Sequence, residues 1–248
     1  MSLRKAGLGR IAAAAVKGAS ALAIGACLTV GSGIGVAHAA TPPDPLKNWS
    51  VAHIEATSIA NAEAAPSLTL SGSFRQSGQT VTLNLGIKKG QGCNATIGGS
   101  KTGTMKMIVI SKTVYLYLDK KFWTNAAGSG GAAIYAQING RYLKVSSASL
   151  AKSLALVCNL QGNITESSSK ITVSRGIVST LDGVRVLQLK NSDGSDVYVT
   201  DSSKPEIVEI TATKGSNGAG TLRMNVGARV TLVAPPASDV INGAKYGF

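Results

Sequence analysis

The stretch SLTLSGSFRQSGQTVTLNLGIKKGQGCNATIGG (residues 67–99) alternates apolar and polar residues along most of its length. Leu68, Leu70 and Phe74 alternate with polar neighbours, Ser77-Gly78 form a tight turn, and Val81, Leu83, Leu85 and Ile87 alternate again with Thr82, Asn84 and Lys88. A period of two sends successive side chains to opposite faces of a strand. Two such runs joined by a short glycine-containing turn predict an antiparallel hairpin with one apolar face. The pattern continues as a short third strand around Cys93, a fourth over 104–110 carrying Met105, Met107 and Val109, a turn at Ser111-Lys112, and a fifth at VYLYL.

Outward from that core, the N-terminal side predicts a helix. Residues 46–64, LKNWSVAHIEATSIANAEA, are rich in alanine and free of Gly and Pro. Trp49, Ala52, Ala56, Ile59 and Ala60 recur at helical spacing, and Pro66 closes the run. On the C-terminal side, the glycines at 128–131 predict a loop, 132–138 a short helix, RYLKV an extended segment and 149–160 a helix presenting Leu150, Leu154, Val157 and Cys158. Strands are expected again over 170–179, 184–190, 196–200, 206–213, 220–226 and 229–233, with turn chemistry at Asn191-Ser192-Asp193-Gly194. The expected fold is α+β: a single curved antiparallel sheet of about ten or eleven strands, an incomplete barrel packed on two or three helices.

The front of the chain bears on compartment. Arg4, Lys5, Arg10 and Lys17 precede an uncharged run that ends in Ala37-His38-Ala39. A basic segment, an apolar segment and a small-x-small site together predict a signal peptide over 1–39, cleaved near Ala39, followed by an extended linker at 40–45 and one domain over 46–248. Ile24-Gly25-Ala26-Cys27 also matches a lipobox, so Cys27 is a candidate for acylation and membrane tethering; the apolar residues that follow it favour plain cleavage. Either route exports the chain to the cell envelope or beyond.

Export leaves Cys93 and Cys158, which in an oxidising compartment predict one disulfide. They lie 65 positions apart, so in the chain-entropy model the link stabilises the fold by roughly 4 kcal/mol. No C-x-x-C occurs and only His53 follows Ala39, which argues against a metal site.

Four of the 25 Lys and Arg precede Ala39, leaving 21 basic against 12 acidic residues, a net charge of +9. That balance suits an anionic membrane surface or wall polymer. Export and an aromatic content of 4% argue against nucleic acid.

Catalytic patterns are fragmentary. Ser149-x-x-Lys152, Ser167-x-x-Lys170 and Lys101-Thr102-Gly103 match pieces of penicillin-binding enzymes, but the K-T-G comes first and no S-D-N lies between. Asp193, Asp196 and Asp201 lack calcium-loop spacing. No enzyme activity, cofactor or metal is expected.

The order of parts resembles the LolA/LppX-like group of actinobacterial envelope lipoproteins. The resemblance rests on the paired cysteines, the VYLYLD–FW step, GRYLKV, and the hairpin LDGVRVLQLK…DVYVTDSSKPEIVEI. It implies an apolar cavity between sheet and helices that holds a lipid or lipidated glycan, carried without catalysis. The candidate lining is Leu68, Leu70, Phe74, Val81, Leu83, Leu85, Met105, Met107 and Val109, where methionines suit an adaptable acyl-chain surface. Two other readings stay open: a ligand-free basic protein of the cell wall or surface, and a serine hydrolase with an unrecognised site.

Overall fold

A computed structural model describes residues 44–158, 172–212 and 218–248. The proposed signal peptide, Cys27 and Ser167-x-x-Lys170 lie outside the described residues. The described residues begin with a turn over 44–49 and helix α1 (Val51–Ala64), followed by strands β1 (Ser67–Gln76), β2 (Gln79–Lys88), β3 (Gly92–Gly99), β4 (Gly103–Ile110) and β5 (Thr113–Leu118). Helices α2 (Lys120–Ala127) and α3 (Gly131–Ile138) form a hairpin, then come β6 (Tyr142–Lys144) and α4 (Ala148–Ala155). The rest is β7 (Val173–Leu181), β8 (Val184–Asn191), β9 (Ser195–Thr200), β10 (Ile207–Ala212), β11 (Gly220–Val226) and β12 (Val240–Asn242).

These twelve strands make one long, open, curved sheet in the order β12-β6-β5-β4-β3-β2-β1-β11-β10-β9-β8-β7. Two meanders, β1 to β6 and β7 to β11, join where β1 pairs with β11, and every pairing is antiparallel except β12 with β6. The α+β class and the antiparallel sheet are as expected.

Turn residues set the register of both meanders. Ser77 and Gly78 adopt positive φ of 49° and 74°, and Asp182 and Gly183 of 49° and 82°. Two positive-φ residues in a two-residue loop match the right-handed twist of the flanking strands. The seam between the meanders needs glycine. A Cβ on Gly72 would sit 2.0 Å from the Thr221 carbonyl oxygen, and one on Gly220 would sit 2.2 Å from that of Ser73.

One face of the sheet carries the core. In register across the first meander lie Leu68, Ile87, Cys93, Val109 and Val114, and one row along Leu85, Ala95, Met107, Leu116 and Leu143. With α2, α3 and α4 these form one apolar cluster that includes Trp123, Ile138 and Leu154. A second cluster under α1 joins Leu46, Ile54 and Ala62 to Leu187, Leu189, Val199, Ile207 and Met224. Leu70 touches both.

Three sequence expectations are corrected, and one helix forms where the sequence predicts no element. First, α1 starts at Val51 rather than residue 46, because Ser50 caps it: its Oγ accepts from the His53 N–H at 3.2 Å. Second, its buried face is Ile54, Ser58 and Ala62, while Ala52, Ala56 and Ala60 face solvent. Alanine favours helix on any face, so alanine spacing is a weak guide to which side is buried. Third, residues 120–127 are helical, started by Asp119, whose carboxylate accepts from Phe122 N–H (2.7 Å) and Thr104 N–H (2.8 Å). Fourth, 229–233 forms no strand. It crosses the polar side of β2 and β3, where Asn94 Nδ2 donates to the Thr231 carbonyl (3.0 Å) and Val230 packs over Gly86. The chain then continues to β12, which brings the sheet to twelve strands instead of ten or eleven.

Candidate functional site

Among the described residues, the C-terminal end of α1, the end of α4 and the β2–β3 loop converge beside the apolar face. A groove of about 340 Å3 lies there. Its apolar floor is Leu68, Ile87 and Val109, and its walls include Ala62 and Ala155 from the two helices and Cys158. The volume falls at the lower end of ordinary ligand sites, roughly 300–1,000 Å3.

One wall is covalent. Cys93 and Cys158 form a disulfide with Cα atoms 5.5 Å apart, so the end of the α4 segment is fastened to β3. Cys93 is fully buried beside Ile87 and Val109, its register partners. The expected crosslink is therefore present in the structure.

The rim is polar and basic: Glu63, Lys88, Lys89, Gln91 and Ser111. Lys89 ties it to α1, its Nζ donating to the Glu63 carbonyl (2.8 Å) and its backbone N–H to that of Pro66 (2.9 Å). Asn61 Nδ2 anchors the same helix to the other meander through the Pro205 carbonyl (2.7 Å).

Of the nine residues expected to line a cavity, the structure brings Leu68 and Val109 to the groove. Leu85, Met105 and Met107 are buried within the first cluster, with Leu70 and Leu83 packed against it. Phe74 and Val81 are buried at the far end of the first hairpin. Alternation identified the covered face but not the groove beside it. Ile87, one step beyond the candidates on the same strand and next to Lys88-Lys89, carried the missing signal: an apolar residue meeting basic ones at a loop beside a cysteine.

The residues weighed for other chemistry are dispersed. Among the described residues no group of three or more His, Cys, Asp and Glu is placed to hold a metal ion. Asp193 accepts from the Ser195 N–H (2.9 Å) and hydroxyl (2.7 Å), which is turn chemistry, and Asp196 accepts from Gln188 Nε2 (2.9 Å). Asp201 is inaccessible and lies 2.7 Å from Arg185 Nε. Burial pushes its carboxyl above the usual range, the neighbouring Asp44 carboxylate adds to that, and Arg185 opposes it. His53 is exposed, its ring 4.4 Å from that of Trp49. Ser149 Oγ lies 3.1 Å from Ser147 Oγ, on the first turn of α4.

No family of known proteins matches this chain, and no curated protein does. Among solved structures, an uncharacterized conserved protein from Thermus thermophilus is similar at a TM-score of 0.36 and 10% identity, over 76% of this chain and 96% of that one. A likeness at that level assigns no activity.

Proposed function

We propose that the chain is an exported cell-envelope protein that holds a lipid or lipidated glycan in the groove between sheet and helices, and carries it without catalysis. The observation behind this reading is the groove itself, floored by Leu68, Ile87 and Val109 and rimmed by Lys88, Lys89 and Glu63. An acyl chain matches such a floor, since each buried methylene contributes about 0.8 kcal/mol. An anionic headgroup matches the rim.

Two further facts support export as part of the proposal. The disulfide is compatible with an oxidising compartment. No helix of the described residues is long and apolar enough to cross a membrane, as suits a carrier whose only tether would be a lipid on Cys27. The resemblance to LolA/LppX-like proteins points the same way and rests on sequence pattern.

The test is native mass spectrometry of the protein recovered from its own host, with lipid extraction of the same sample. A bound species of lipid mass that leaves on extraction is expected. A protein that stays at its bare mass, with no lipid in the extract, would contradict the proposal.

A further inference from the structure

Four of the six tyrosines gather at one place remote from the groove. Tyr115 and Tyr117 project from the face of β5 opposite its buried residues and Tyr142 from β6 beside them, while Tyr135 of α3, packed partly against the first apolar cluster, neighbours Tyr117. The Tyr117 and Tyr142 rings are 5.8 Å apart and tilted, and burial together with the neighbouring Tyr135 hydroxyl raises the Tyr117 pKa. Lys106, opposite Tyr117 on β4, holds its ammonium 5.3 Å from the Tyr117 ring centre. All four rings are half-buried, while Lys106 and Lys144 are exposed.

The surrounding charge is mostly basic. Lys144 opposes Tyr115 in the register, and Lys101, Lys120 and Lys121 occupy the β3–β4 turn and the start of α2 at the same end of the strands. Lys121 Nζ donates to the Ser100 carbonyl, which ties that turn to the helix. The acidic group nearest Tyr117, Asp119, is engaged by the Thr104 and Phe122 N–H groups. Tyr117 and Tyr142 also have their hydroxyl pKa raised by burial, so both remain hydrogen-bond donors at neutral pH.

We propose that Tyr117, Tyr142, Tyr135 and Lys106 form a surface platform for an acidic polysaccharide. Sugar rings present flat C–H faces that stack on tyrosine, their hydroxyls exchange hydrogen bonds with phenol groups, and their carboxylates or phosphates pair with Lys106 and Lys144. Rigid rings with few rotatable bonds lose little entropy on binding. A row of rings across adjacent strands suits a chain of repeating units better than a single small molecule. The site is independent of the groove, and a failure of the carrier reading leaves it standing.

The experiment is affinity gel electrophoresis of the mature protein through polygalacturonate, with neutral dextran as comparison. The wild type should be retarded by polygalacturonate, and far less by dextran. Tyr117→Ala and Lys106→Gln should each weaken retardation roughly tenfold, the scale of one aromatic or cation–ring contact. Tyr117→Phe, which keeps the ring and loses the hydroxyl, should bind more weakly than wild type and better than Tyr117→Ala, and an unchanged thermal melt of Tyr117→Ala guards against misfolding as the cause. Lys190→Gln, on the other meander, should change nothing. No retardation of the wild type, full binding by Tyr117→Ala, equal retardation by dextran, or an equal loss in Lys190→Gln would each overturn the proposal.

Discussion

The two meanders solve one problem by different means. Each must cover the apolar face of a sheet that stays open at both edges. The first does so with three short helices and a covalent link, Cys93 to Cys158. The second uses one longer helix, a buried turn around Leu46 and an ion pair between Arg185 and inaccessible Asp201. The groove lies at the border between the two coverings, lined by the C-terminal ends of α1 and α4. A disulfide constrains the unfolded chain, whereas a capped helix and a buried charge act within the folded state. The first covering should therefore tolerate a groove beside it better than the second.

The largest expected effect is at the seam that both halves share. Gly72→Ala forces a Cβ to within 2.0 Å of a backbone oxygen, so it should cost more than about 4 kcal/mol in urea unfolding or abolish folding. Unchanged stability would mean that the meanders do not meet as described. Cys158→Ala should come next, lowering stability by roughly 2–5 kcal/mol and exposing Cys93 to thiol reagents under native conditions. On the second meander, Leu187→Ala should cost about 2–5 kcal/mol by leaving a cavity under α1, without changing thiol reactivity. If Leu187→Ala released the disulfide helix as readily as Cys158→Ala, the halves would be one cooperative unit.

Smaller effects sharpen the contrast. The carboxyl of Asp201 titrates above its ordinary value when folded, so its protonation favours the folded state. That contribution is complete below the unfolded value near 3.8 and is lost as pH rises through the folded value. Asp201→Asn should consequently destabilise the protein more at pH 3 than at pH 7, in paired denaturant titrations. An equal cost at both values would remove Asp201 from the account. Ser50→Ala, which deletes the cap of α1, should cost about 1 kcal/mol and leave the first meander's hydrogen exchange untouched.

What sequence could reveal followed from which forces are local. Alternation in residues 67–110 showed β1 to β4 and their apolar face almost residue by residue, because a half-buried strand writes its period into side-chain polarity. The cysteine pair was visible once export had been inferred from the N-terminal pattern. The α2 helix escaped notice because its start depends on Asp119 bridging to Thr104, a contact across a turn that no periodicity encodes. Residues 229–233 have strand-like composition, but β10 already occupies the far side of β11, so the chain leaves the sheet and crosses its polar face. The groove depends on where two helices end relative to three strands. Leu68 and Val109 could be named from sequence and Ile87 carried a signal there, while the walls at Ala62 and Ala155 needed the assembled fold.

The central claim is that this groove accepts an acyl chain. A fluorescence titration with an environment-sensitive fatty-acid probe tests it, comparing wild type with Ala155→Trp, which fills the groove from the α4 side. The account predicts saturable binding by the wild type and its loss in the filled variant, with thermal stability little changed. Equal binding by both proteins, or none by the wild type, would contradict it.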